Sequence, residues 1–118
     1  MVEFAICLPV LVVVSLGSIE ACNAINLKQV ATEAAYEAVR TASGATGTLL
    51  TAEARANEVL ASHSITGATV QFTPASDSNW ARGVDVTVTI SVPSSNLGAV
   101  NFFFQSQSMQ GSVTMVKL

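Results

Sequence analysis

Hydrophobic and polar positions along this chain fall into three successive regimes. In the first, Phe4 to Ile19, sixteen residues pass without a charge, and a glutamate closes each end, Glu3 and Glu20. A helix on the surface of a globular domain carries one apolar stripe, not a full apolar cylinder. Such a rod therefore needs surroundings that are apolar on every side, either lipid or a bundle of identical rods. In the second regime Leu27, Val30, Ala31, Ala34, Ala35, Ala38, Val39 and Ala42 fall on one helical face, while Lys28, Gln29, Thr32, Glu33, Tyr36, Glu37 and Arg40 take the other. No break signal separates the two regimes, which predicts one helix from about residue 2 to about residue 43, some 60 Å long at ~1.5 Å per residue. The small residues Ser43 to Gly47 end it, with Gly44 expected as a left-handed cap and Arg40 complementing the dipole. Pro9 removes one hydrogen bond inside the rod, so a kink or a melted turn is expected there. Gly17 and Ser18 form a second soft spot. Both read either as tolerated features of a membrane helix or as provision for bending when the helix leaves lipid.

A second, shorter helix is predicted with Thr51 as N-cap, Glu53 in its first turn, Ala54, Val59, Leu60 and Ala61 as its apolar side, and an end near His63. Beyond Thr66 the period changes to two. Val70 and Phe72 alternate with Thr69, Gln71 and Thr73; Val84, Val86, Val88, Ile90 and Val92 alternate with Asp85, Thr87, Thr89 and Ser91; Met109, Gly111, Val113 and Met115 alternate with Gln110, Ser112, Thr114 and Val116. These are half-buried strands. The fold class predicted is α+β: a long N-terminal helix packed on a small three-stranded antiparallel sheet, with a second short helix. Its expected division is an apolar helix over residues 1–25 and, over residues 26–118, the amphipathic continuation plus a compact head. The loop from Pro74 to Gly83 carries Asp77, Trp80 and Arg82, and the loop from Pro93 to Asn101 leads into Phe102, Phe103 and Phe104. Neighbouring strand residues point to opposite faces, so at least one of these phenylalanines is expected outside the core, as a candidate subunit contact.

Composition then narrows the class. Half the residues are apolar, 11% are charged and the net charge is −3, which leaves no basic footprint for nucleic acid. A signal peptide needs a cationic front, and Glu3 is the only charge ahead of the apolar run; the rod is expected to stay in the finished structure. As a membrane span, sixteen residues reach about 24 Å against a hydrocarbon core of roughly 30 Å, short unless flanking residues snorkel or the bilayer thins. Cys7 and Cys22 lie roughly 22 Å apart along one helix, too far for an intrachain disulfide. Each is expected to be a small buried hydrophobe or a site of bridging between chains. His63, with no cysteine or histidine cluster around it, supplies no metal site, and no cofactor is implied. Glu33 and Glu37 share a helical face beside Arg40 and read as surface charges. No catalytic motif is present, and an enzyme is not expected.

The stretch Met1-Val2-Glu3-Phe4-Ala5-Ile6-Cys7-Leu8-Pro9, the step Gly17-Ser18-Ile19-Glu20, and the run Gln29-Val30-Ala31-Thr32-Glu33-Ala34-Ala35-Tyr36-Glu37-Ala38-Val39-Arg40 closely resemble TadE-like pilins of the bacterial tight-adherence system. The resemblance covers roughly residues 1 to 42, and the β-rich remainder only in layout. It implies a type IV pilin-like fold and an extracytoplasmic filament subunit, made with a short basic leader, anchored in the inner membrane, cut by a prepilin peptidase and passed by the pilus assembly machinery into a helical filament of identical subunits. The family's basic leader does not precede Met1 here, which leaves the mature first residue open. Glu3 and Phe4 map onto the family's glutamate and the aromatic beside it, and Pro9, Gly17 and Glu20 onto its other helix positions.

A carboxylate carried into an apolar bundle is costly unless paired, so Glu3 is expected to meet a neighbour's α-amino group and fix axial register. Glu20 is expected either to partner Lys28 of a neighbour or to mark where the rod meets water. Three alternatives stay open beside a major pilus subunit with a role in adhesion: a minor pseudopilin that primes or caps the pilus, a bitopic membrane protein with a small periplasmic binding domain, and a soluble interaction module.

Overall fold

A computed structural model describes residues 1–93 and 108–118. Two helices, α1 (Val2–Ser43) and α2 (Leu49–Ser62), precede three strands, β1 (Thr69–Thr73), β2 (Asp85–Pro93) and β3 (Ser108–Val116). The strands form one antiparallel sheet in the order β1-β2-β3. The molecule measures 70 × 22 × 19 Å, an elongated shape set by α1.

The alternation read in the strands decides which residues face α1. Val86, Val88, Ile90 and Val92 are fully buried, with Met109, Val113 and Met115 packed beside them. Thr87, Thr89, Ser112 and Thr114 take the other face, where Thr87 and Thr114 hydroxyls lie 2.8 Å apart and those of Thr89 and Ser112 3.2 Å. Gly111 stands opposite Ile90 in the register. A Cβ there would overlap the backbone of Ala31 and Thr32. Helix and strand thus touch nearly backbone to backbone, and the alanines on the buried face of α1 make that approach feasible. Leu27, Val30, Ala31, Ala34, Ala35, Ala38, Val39 and Ala42 all lie in the core, as their spacing predicted.

Helix α2 begins three residues earlier than predicted. Thr48, not Thr51, is its N-cap. The Thr48 hydroxyl accepts from the Thr51 N–H at 3.3 Å, while the Thr51 hydroxyl accepts from the Thr48 N–H at 3.0 Å. A threonine standing in for the usual acid of a capping box conceals it from a search for Glu or Gln. The buried face shifts accordingly to Ala52, Ala56, Val59 and Leu60, leaving Ala54 and Ala61 exposed. Across the outside of the helix pair, Arg55 bridges Glu37 at 3.4 Å and Glu58 at 3.0 Å. Glu58 foremost, then Glu37, raises the Arg55 pKa above its ordinary value. His63 caps the end of α2, with Nε2 3.6 Å from the Glu33 carboxylate, a surface position.

The C-terminal end of α1 is closed by a device that the sequence reading did not foresee. Gly44 is extended, with φ −61° and ψ 154°, and is no left-handed cap. Instead the Lys117 ammonium donates to the carbonyls of Ala42 at 2.7 Å, Gly44 at 2.6 Å and Gly47 at 3.1 Å. The Leu118 N–H adds a bond to the Ser43 carbonyl at 2.9 Å. A cation at a helix C-terminus satisfies orphan carbonyls and opposes the dipole at once. Trp80 joins the core from the loop after β1: its indole N–H donates to the Pro74 carbonyl at 3.0 Å, Phe72 lies 5.7 Å from it between ring centroids, and Lys117 Nζ sits 5.9 Å over its ring.

Candidate assembly and membrane surface

The functional surface is built from what α1 does before it reaches the head. The helix runs unbroken from Val2 through Pro9, so no turn melts there. Losing one hydrogen bond leaves the ladder on either side of it intact, and the Ala5 N–H already bonds the Met1 carbonyl at 3.1 Å. The two hydroxyls of the rod are satisfied within it: Ser15 donates to the Leu11 carbonyl and Ser18 to the Val14 carbonyl, each at 2.8 Å. A helix that satisfies its own polar groups asks nothing of its surroundings except apolar contact.

Among the described residues nothing provides that contact. From Val2 to Ile19 no residue is buried, and Gly17 alone is half-covered. Phe4 is 67% exposed, Val10 60% and Ile19 48%. The stretch is long and apolar enough to cross a membrane. Its exposure on every side separates it from the core helix of a soluble domain, whose apolar residues are covered by neighbours.

The positions singled out from the sequence lie as follows. Glu3, Phe4 and Pro9 are exposed at the free end, and Gly17 sits near the head. Glu20 is fully buried, followed by Ala24 at 6%; the carboxylate marks where the head begins to cover α1. Cys7 and Cys22 are free and exposed in the lone subunit, because the head covers neither of their positions. Phe102, Phe103 and Phe104 fall outside the described residues.

Elsewhere the surface offers little chemistry. A shallow cavity of about 440 Å³ lies between the start of α2 and β1, lined by Leu49, Glu53, Val70, Gln71, Phe72, Thr73 and Ala75. Glu53 is its one ionisable group, with no second acid, base or nucleophile beside it in that lining. Among the described residues no group of histidine, cysteine, aspartate and glutamate is placed to hold a metal ion.

Comparison with curated proteins and with solved structures yields no match. Residues 1–40, the helix from its bare end almost to its last turn, match the family model described as TadE-like protein, so the chain is similar to that family along α1, whose apolar segment fits membrane anchoring.

Proposed function

We propose that this chain is a structural subunit of a Tad-like filament, held in the inner membrane by α1 before assembly and joined to identical subunits through the same helix afterwards. One observation carries the reading: residues 2–19 form a helix of which the subunit buries nothing. Apolar surface of that extent, removed from water, is worth on the order of tens of kcal/mol gross at ~25 cal/mol per Å², before the entropic costs of association. Lipid supplies the burial for a lone subunit, and neighbouring rods supply it in a filament. The similarity of the same residues to the TadE-like family supports this exchange of one apolar environment for another. Processing by a prepilin peptidase and hand-over to the pilus machinery follow from that similarity.

Electron microscopy of sheared cell-surface material, with antibody against the head, tests the proposal. Labelling along the length of filaments is expected. Labelling confined to filament ends would assign a minor pseudopilin, and a chain that stays in membranes without filaments would be a bitopic protein with a periplasmic head. Recovery of the intact chain as a detergent-free soluble monomer would overturn all three.

A further inference from the structure

The head covers only one side of α1, so the apolar length of the helix differs between its faces. On the head-facing side the lipid-like surface stops at Glu20, which the head buries. On the opposite side it continues. Phe4, Leu8, Leu11, Cys22 and Ile25, with Ser15 and Ser18 between them, follow one another at alternating steps of four and three and so form a single stripe. All seven are exposed, Ile25 at 59%. The stripe stays exposed as it runs on beside the head.

Lengths then discriminate between the faces. Phe4 to Ile19 spans about 24 Å and Phe4 to Ile25 about 33 Å at ~1.5 Å per residue, against a hydrocarbon core of roughly 30 Å. Only the head-free face matches. Between Glu3 and Lys28 the sequence has no charge except Glu20. Lys28 is exposed three residues beyond Ile25, the place for a long cationic side chain to lay its stem on the hydrocarbon and its ammonium among lipid phosphates.

From this asymmetry we infer that lipid contact extends to Ile25 on the head-free face, so that the unassembled subunit leans over the bilayer surface with Cys22 below it and Lys28 at the phosphate level. The partner is the bilayer itself, acyl chains for the stripe and phosphate for Lys28. The inference rests on the membrane-anchored state proposed above, continues its contact surface by about two turns, and is separable from it by experiment.

The two native cysteines provide the probe. In membranes containing Cys7→Ala, Cys22 is the sole thiol; in Cys7→Ala/Cys22→Ala/Gln29→Cys the sole thiol lies four residues past Ile25. Both are labelled with a charged, membrane-impermeant maleimide, before and after detergent. Cys22 is expected to react at least about ten-fold more slowly than the residue-29 thiol until detergent removes the hydrocarbon that shields it. Equal reaction of the two in intact membranes would overturn the inference while leaving anchoring in place. Release of the chain by alkaline carbonate would overturn anchoring, and the inference with it.

Discussion

Lys117 shows how much can rest on a single surface-type residue. Its ammonium serves three carbonyls at the end of α1, and hydrogen bonds to a charged group are each worth about 1.5–3 kcal/mol. Lys117→Met keeps the apolar stem and removes the donor, so unfolding in detergent should cost about 2 kcal/mol less or lower still, read by fluorescence of Trp80, the chain's one tryptophan. For Glu3 the proposed role is in assembly instead. It is exposed at the free end of the rod, where a neighbour's cation can reach it only in the polymer. Glu3→Gln should leave membrane insertion and the Trp80 signal unchanged while reducing filament yield by about a hundred-fold or more, since removing one member of a buried ion pair costs ~3–5 kcal/mol. Normal yield from this variant would rule out a register role for the carboxylate.

Elements meet at two close joints. The capping box of Thr48 and Thr51 starts α2, and Thr48→Ala should lower stability by about 0.5–2 kcal/mol with filament yield little changed, because this joint lies in the head. At the other joint Gly111 lets β3 approach the backbone of α1. Gly111→Ala introduces a methyl that only a backbone shift can accommodate, a cost of about 1–3 kcal/mol by overpacking. Thermal unfolding of the two variants should rank Gly111→Ala as the more damaging. The reverse order would mean that the sheet can slide on the helix.

At the scale of the whole molecule, rod and head are expected to separate. The boundary matters, because Glu20 and Ala24 are buried by the head, whereas nothing before them is. A fragment of residues 20–118 should fold as a soluble monomer, and one of residues 26–118 should melt several degrees lower, as ~1 kcal/mol corresponds to roughly 4–8 °C in a domain of this size. Sedimentation and thermal unfolding of the two fragments check both statements. Aggregation of the longer fragment would show that the head depends on the rod.

The long helix, the second helix and all three strands were legible in the residues, because side-chain direction repeats every 3.6 residues in a helix and every two in a strand. The same local rule marked Leu27 to Ala42 as a buried face and Phe4 to Ile19 as surface that a lone domain does not leave in water. What tertiary structure alone decided are the joints between distant segments. Lys117 reaches the end of α1 across more than seventy residues of sequence, Gly111 meets Ala31 and Thr32, and Trp80 enters the core from the loop between β1 and β2. Lys117 and Trp80 lie outside any periodic pattern, and the alternation that includes Gly111 gives its face of the strand but not the helix it meets. Glu20 and Cys22 make the distinction plainest: two residues apart on one helix, the first is buried and the second exposed, since periodicity fixes the angle between them and only the placement of the head decides which side it covers.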